Sequence, residues 1–153
     1  EKTEGNLLAT LQEIKKLALL FPDEDINVSQ MASSISDSSK YNIFDLSNAF
    51  ISGNKERTAS VLESLKAEGT PETLILWSLS RELTNLFKVI NQNSAKGIWG
   101  PRHYLNNLEE LAKKVALSDL KHALQQVAKI DASIKGSGHQ DPWQAIRELT
   151  ITF

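Results

Sequence analysis

The loop around Trp99 is the stretch of this sequence whose residue types could do chemistry. In a segment with two glycines it combines one large aromatic side chain with the cations Lys96 and Arg102. A nucleic-acid base can stack on a tryptophan ring while neighbouring cations hold its phosphates. The pattern therefore makes Lys96, Trp99 and Arg102 candidate DNA contacts. The structural alternative is that Ile98 and Trp99 pack under the neighbouring helices and that Arg102 caps a helix end.

Residues with catalytic or metal-binding potential are scattered elsewhere in the chain. His103, His122 and His139 lie in different segments without the spacing of a zinc site, and His122 is predicted to lie on a helix surface. The sequence has no cysteine, no Walker-type phosphate loop and no nucleophile elbow. The i,i+4 pairs Glu109–Lys113 and Asp131–Lys135 are expected to stabilise helices. We therefore predict no catalytic site, no bound metal and no cofactor.

Composition and charge narrow the class of protein. The chain has 153 residues, of which 41% are hydrophobic and 24% charged, and its net charge is −2. A chain of this length buries about 70% of its unfolded surface, enough for a core without disulfides. The near-neutral charge argues against a dedicated nucleic-acid-binding protein, although it permits a local basic patch. Because the chain begins at Glu1 without an initiator methionine, we expect it to be part of a longer protein.

The elements that must position the Trp99 loop are helices, and the longest is predicted from Thr70 to Asn91. Thr70 is placed to cap this helix and Pro71 to fill its first turn. Apolar residues recur at steps of three and four and form a wide stripe, made of Ile75, Leu76, Trp77, Leu79, Leu83, Leu86, Phe87, Val89 and Ile90. A helix about 30 Å long with so wide a stripe must be covered by several others. The pattern predicts the central helix of an all-α bundle, with Leu83 fully buried.

Further helices are predicted on both sides of the central one. Helices are predicted to begin at Asn42, Ser118 and the Asp141–Pro142 pair. Helices are predicted to end at Gly53 and Gly69. The inward positions are predicted to be Phe44, Leu46, Ala49, Phe50, Ala59, Leu62, Leu65, Tyr104, Leu105, Leu108, Leu111, Ala112, Val115, Leu120, Ala123, Leu124, Val127, Ile130, Ile134, Trp143, Ile146 and Leu149.

The first 40 residues are predicted to form a separate packing unit. Residues 7–21 carry apolar side chains at helical spacing, and a short helix is predicted over residues 28–35. The polar run SSISDSSK at 33–40 indicates a boundary. We expect residues 7–20 to exchange their amide hydrogens faster than residues 76–90, because the boundary offers few apolar contacts.

Short motifs follow one another in a fixed order along almost the whole chain. They are EGNLL at 4–8, QEI at 12–14, KLALL at 16–20, FDL at 44–46 with Ala49, EG at 68–69, LILW at 74–77, REL at 81–83, Trp99 with Arg102, Asp131 with IKG at 134–136, and Trp143. Together their order and spacing resemble the family of bacterial DNA polymerase III delta subunits, which belong to the clamp loader.

The resemblance implies a fold and a role. Members of this family have an AAA+-like domain that binds the sliding clamp, then a small helical lid and a C-terminal collar. The present chain would then hold a partial lid at 1–40 and a helical, oligomerising collar at 41–153. The collar joins five subunits, including the gamma/tau motor subunits and delta prime, in a bacterial cytoplasmic complex that loads the clamp on primed DNA.

The resemblance also limits what this chain is expected to do. It implies no working phosphate loop and thus no activity in this fragment, although the parent assembly is a DNA-directed DNA polymerase holoenzyme. Related proteins carry an aromatic residue shortly before the last helix, where this chain has Ser137-Gly138-His139. A DNA contact at that position is therefore not carried over.

A stand-alone helical adaptor that binds a partner helix in a groove is the alternative function. Monomeric behaviour with one tight peptide ligand would favour the adaptor, whereas co-assembly with motor subunits would favour the clamp loader. An enzyme would need a convergent cluster of titratable residues, and the sequence pattern shows none.

Overall fold

The computed structural model describes residues 41–152 and, upstream of them, Lys15 alone. The chain divides into two units between Lys40 and Tyr41, and the second of these is the one described below. The helices predicted over residues 7–21 and 28–35, and the exchange behaviour predicted for residues 7–20, lie outside the described residues.

Six helices and no strand make up residues 41–152, which confirms the all-α prediction for this part of the chain. The helices are α1 (Ile43–Ile51), α2 (Lys55–Ala67), α3 (Glu72–Gln92), α4 (Arg102–Ala112), α5 (Leu117–Ile134) and α6 (Pro142–Thr150). In this part of the chain, none of the helices combines the length and the apolar character that crossing a membrane requires.

Side-chain caps explain where α1 and α6 begin. Asn42 Oδ1 accepts the N–H of Asp45 at 3.2 Å, and the Asp45 carboxylate accepts the N–H of Asn42 at 2.8 Å, so α1 opens with a capping box. Asp141 Oδ1 accepts the N–H of Gln144 at 2.7 Å and caps α6. Both predicted caps are confirmed. They could be predicted because each needs only residues within one turn.

Two other predicted caps are wrong. Pro71 holds the N-cap position of α3, because the N–H of Thr70 donates to the Leu65 carbonyl at 2.9 Å and so belongs to the end of α2. The helix α5 begins one residue before Ser118, whose hydroxyl donates instead to Asp119 at 3.2 Å. No side chain caps either helix: the Thr70 backbone completes the end of α2, and Ser118 lies inside α5.

The helix α3 lies at the centre of the bundle, as predicted, and packs against α1, α4, α5 and α6. The helix α2 instead packs on α1 and α6. Most of the predicted stripe of α3 is buried, and Leu83 is fully buried at its middle. The helices α1, α4, α5 and α6 are therefore each held in place by contacts with α3.

Some residues predicted to be inward lie at the rim of the core or outside it. Phe44 is 63% exposed and Trp77 is 56% exposed, so the inward assignment is wrong for both. Trp77 lies on the outer side of α3, one turn before Arg81, and the apolar stripe is narrower than predicted. The remaining rim residues are only partly buried, namely Ala59, Phe87, Ile90, Leu105, Ala112, Val115, Leu124, Val127, Ile134 and Trp143.

Candidate nucleic-acid interface

The loop between α3 and α4, residues 93–101, is attached to the bundle on the N-terminal side of Trp99. Ala95 is buried, and its N–H donates to Glu109 Oε1 on α4 at 2.9 Å. The N–H of Ile98 donates to the Ala95 carbonyl at 3.1 Å and closes a turn through Gly97, whose φ of 86° is left-handed. Ile98 itself packs against the core. The path of this loop is therefore fixed as far as Ile98, the residue before Trp99.

The carboxylate of Glu109 holds this loop, and Glu109 forms no salt bridge with Lys113. Lys113 pairs instead with Glu110 at 2.6 Å, one turn apart on the surface of α4. The hydrogen bond and charge of Lys113 lower the pKa of Glu110. The other predicted pair, Asp131–Lys135, is confirmed at 2.5 Å.

Trp99 is 95% exposed, the largest exposure among the large apolar side chains of the described part. The structural alternative is therefore wrong for Trp99 and right for Ile98. Ile98 takes the inward position of the turn, and the ring of the next residue lies in solvent. An indole ring with both faces open to solvent is what stacking with a nucleic-acid base requires.

Two cations flank this exposed ring along the chain. Lys96 and Arg102 are both exposed, and neither side chain makes a hydrogen bond or ion pair with any residue of the described part. Arg102 is the first residue of α4, so the alternative that it caps a helix end is wrong. A cation at this end of a helix also opposes the helix dipole. Both charges are therefore free to meet a phosphate.

The first turn of α4 adds to this positive region. Pro101 holds its N-cap position without a side-chain hydrogen bond, and no acidic residue lies in the first turn. The N–H groups of Arg102 and His103 have no acceptor within the helix. An uncapped helix N-terminus attracts anions, so this turn supports the two side-chain charges. The structure thus brings Lys96, Trp99 and Arg102 into one exposed loop and helix start.

A buried carboxylate lies behind the start of α4, and the sequence analysis missed it. Glu82 on α3 is fully buried within the apolar core. Its Oε2 accepts a hydrogen bond from the Tyr104 hydroxyl. Its Oε1 accepts from Arg81 Nε at 3.0 Å and from Arg81 Nη2 at 2.6 Å. Asn85 Nδ2 donates to the Tyr104 oxygen at 3.1 Å.

The network extends from this carboxylate to α1 and to the surface. Arg81 Nη2 donates to Ser47 Oγ at 3.3 Å, and the hydroxyls of Ser47 and Ser78 are 2.8 Å apart. The Arg81 guanidinium lies over the ring of Trp77, with 5.2 Å between its carbon and the ring centroid. Burial, and then the hydrogen bond to Glu82, raises the pKa of Tyr104 well above its usual range.

One sequence signal could have found this network. Glu82 falls three residues after Leu79 and four before Leu86, which places it within the apolar stripe of α3. A carboxylate at such a position must have partners, because an unpaired buried charge is very costly. The partners themselves, and Tyr104 in particular, could not be named from local spacing.

Histidines and acidic residues form no metal site within residues 41–152. In this part of the chain no group of three or more His, Asp or Glu side chains could hold a metal ion. His122 is exposed, as predicted, and its Nε2 lies 3.0 Å from Gln126 Nε2 on the same helix.

Comparison with known proteins adds a relationship to this geometry. No protein-family profile matches the chain. The chain is 24% identical over 157 residues to DNA polymerase III subunit delta of Escherichia coli strain K12, which covers 97% of the chain and 45% of that protein. It is 34% identical over 168 residues to DNA polymerase III subunit delta of Haemophilus influenzae, covering 97% of the chain and 48% of that protein.

The resemblance to the delta subunit is confirmed. It extends over nearly the whole chain, including the helices that carry Trp77, Glu82 and Tyr104 and the loop that carries Trp99. The chain spans about half the length of these curated delta subunits. What is shown is therefore a relationship to part of a delta subunit.

Proposed function

We propose that this chain is a non-catalytic, structural part of a clamp-loader delta subunit, which holds the subunit against its neighbours. Residues 1–40 would end the lid domain, and residues 41–153 would be the collar. The observation that carries this proposal is the match over 97% of the chain to two proteins named DNA polymerase III subunit delta. The all-α bundle around α3 supports it, because a bundle can offer several helix faces to neighbouring subunits.

The partners of this chain would be the gamma/tau motor subunits and delta prime in the bacterial cytoplasm. The sliding clamp would be bound by a domain outside this chain, and primed DNA by the assembled complex. For the subunit contacts we propose the exposed apolar side chains of α3 and α1, which are Leu74, Trp77 and Phe44. Burying such side chains on assembly releases the water around them and favours association.

Co-assembly with the motor subunits and delta prime tests the subunit contacts. Trp77→Ala and Leu74→Ala should reduce the amount of complex recovered by size-exclusion chromatography. Ile151→Ala is the matched control, because Ile151 is 49% exposed and lies just after α6. A chain that stays monomeric with these subunits and binds one peptide tightly would instead support the adaptor alternative.

We further propose that Trp99 stacks on an unpaired template base at the primer–template junction. Such stacking contributes about 1–3 kcal/mol per base. Lys96 and Arg102 would hold the adjacent phosphates, each steepening the dependence of binding on salt. The isolated chain should bind DNA weakly, because its net charge of −2 opposes a polyanion and few cations are local.

Trp99→Ala in a reconstituted clamp loader tests the stacking contact. Junction binding should weaken about 10-fold or more while the melting temperature stays unchanged. Arg102→Gln and Lys96→Gln should each make the slope of log K against log salt shallower by about 0.7–0.9. His122→Gln, on the exposed side of α5, is the surface control. Full-strength junction binding by Trp99→Ala would refute the contact.

A further inference from the structure

We infer that Glu82, Tyr104 and Gly100 form a tether that fixes the backbone of Trp99 and so fixes the point from which its ring projects. The role of the tether in DNA binding rests on the proposed DNA contact of Trp99. The tether itself is a property of the chain without DNA. Three steps lead from the core to the loop. Glu82 fixes the Tyr104 hydroxyl, the Tyr104 ring supports Gly100, and Gly100 follows Trp99 directly.

The first step is the immobility of the Tyr104 hydroxyl. Glu82 is fully buried, and Arg81 occupies one of its carboxylate oxygens while Tyr104 occupies the other. A buried carboxylate that lost a donor would carry an unsatisfied charge, which is more costly than a lost neutral hydrogen bond. Asn85 holds the same hydroxyl from one turn further along α3. Tyr104 is thus fixed to the central helix at the far end of its ring.

The second step is the contact between the Tyr104 ring and the loop. A Cβ atom placed on Gly100 would lie 2.6 Å from Cδ1 and 3.1 Å from Cε1 of this ring. The φ of Gly100 is not in the left-handed region, so the backbone conformation alone does not require glycine there. A glycine at this position is required by the close approach of the loop backbone to the ring. Because the Tyr104 hydroxyl is fixed to Glu82, the Tyr104 ring forms a rigid surface against which the backbone of Gly100 packs.

The third step is the opposite flank of Trp99. Ile98 packs against the core, and its N–H is bonded to Ala95, which Glu109 holds in turn. The backbone of Trp99 is therefore attached immediately before and immediately after the residue. A loop backbone that is held in place before binding avoids part of the ordering cost that a mobile loop would meet. The tether would thus raise the affinity for DNA without touching it.

Backbone ¹⁵N relaxation of the Trp99 amide, in the 153-residue chain without DNA, tests the tether directly. The native order parameter should be near 0.85, the value of rigid backbone. In Gly100→Ala the new Cβ pushes the loop from the ring, and in Tyr104→Phe the ring loses its anchor. We expect the order parameter of Trp99 to fall below about 0.6 in Gly100→Ala and to fall by a smaller amount in Tyr104→Phe.

Two control variants separate positioning from a general loss of stability. Gly138→Ala is matched to the glycine variant, because a Cβ there would lie 2.0 Å from Ser133 Oγ, between α5 and α6. Thr58→Val is matched to the tyrosine variant, because it removes a buried hydroxyl that donates to the Asn54 carbonyl at 2.8 Å, outside the Glu82 network. Both should lower the melting temperature while leaving the order parameter of Trp99 unchanged. The same loss in the controls as in the test variants would overturn the inference.

The outcomes distinguish this inference from the proposed function. An unchanged order parameter in both test variants overturns the tether, and a change in Gly100→Ala alone removes Glu82 from it. If Gly100→Ala does not fold, Tyr104→Phe decides the question by itself. In the reconstituted clamp loader both variants should weaken junction binding, by up to about 10-fold, with Trp99 still present. If the order parameter responds while Trp99→Ala leaves DNA binding intact, the tether stands and the DNA contact fails.

Discussion

Glu82 and Leu83 are consecutive residues of α3, both fully buried, and they are buried by different means. Leu83 lies among other leucines of the core, and its burial needs only apolar surface and fitting shape. Glu82 is buried because each of its two oxygens has a donor, one from its neighbour Arg81 and one from Tyr104, 22 residues away. Burial of the leucine therefore needs only apolar neighbours, whichever helices supply them, whereas burial of the carboxylate depends on one hydroxyl of α4.

The difference shows how one helix can serve two purposes. The leucines of α3 hold the bundle together through contacts that tolerate conservative replacement. Glu82, within the same buried stripe, fixes one hydroxyl at one place, because hydrogen bonds are directional. The residue that costs more to bury is the one whose contacts lead to the exposed loop. Four predictions sharpen or break this comparison, from the largest expected effect to the smallest.

Leu83→Ala should give the largest loss of stability. Removing a fully buried leucine loses transfer free energy and leaves a cavity, which together cost about 2–5 kcal/mol. Urea denaturation of the 153-residue chain measures this loss. A loss below about 1 kcal/mol would mean that the core at the middle of α3 is not closed, and the bundle would be wrong.

Tyr104→Phe should cost about 1–3 kcal/mol, because it leaves one oxygen of Glu82 without its donor. Tyr41→Phe is the matched control, since the Tyr41 hydroxyl makes no hydrogen bond with the described residues. Urea denaturation of both variants at neutral pH measures the difference. Equal effects of the two changes would show that the buried carboxylate does not depend on Tyr104.

Stability should fall in alkaline solution through Tyr104. Because its pKa is raised in the folded chain, the folded state keeps this proton at pH values where the unfolded state has lost it. The unfolded state then binds fewer protons, so the contribution is complete below the unfolded pKa of about 10 and is lost as pH rises above it. Between pH 8 and pH 11 the native chain should lose about 1 kcal/mol more than Tyr104→Phe. Parallel losses in both proteins would exclude this titration.

Trp99→Ala should have the smallest effect, within about 0.5 kcal/mol of the native stability, because its ring makes almost no contact with the bundle. Trp143→Ala is the comparison, since Trp143 packs against the core and Lys66 lies 5.5 Å from its ring centroid. Thermal melting of both variants should show a clear drop for Trp143→Ala alone. A comparable drop for Trp99→Ala would mean that the ring packs against the protein in solution.

The parts of the fold that sequence predicted are those decided within one or two turns. The caps at Asn42 and Asp141 and the burial of Leu83 follow from short-range spacing, and the structure confirms all three. Thr70 was assigned wrongly because its backbone completes the end of the preceding helix, which leaves Pro71 at the N-cap of α3. This outcome depends on which neighbouring element ends first, and residue types alone do not decide it.

The residues of the candidate site could be predicted from the sequence, but the contacts that hold its loop in place could not. Residue type singles out Lys96, Trp99 and Arg102, but it favours the buried alternative for Trp99, because tryptophan is usually largely buried. The exposure of Trp99 depends on Ile98 taking the inward position and on the close approach of Gly100 to Tyr104. The second of these contacts depends in turn on Glu82, on a different helix, and so lies beyond the reach of helical periodicity.

The three tryptophans of this chain also make it an optical reporter of its own surface. Trp99 is almost fully in solvent, Trp77 is half-exposed beneath a guanidinium, and Trp143 is partly buried beside a lysine. The red edge of the tryptophan emission comes from Trp99, because a ring in water emits at the longest wavelength. A collisional quencher added to the solution should therefore quench this edge first. Fluorescence at this edge would follow events at Trp99 in the native chain, with no dye attached.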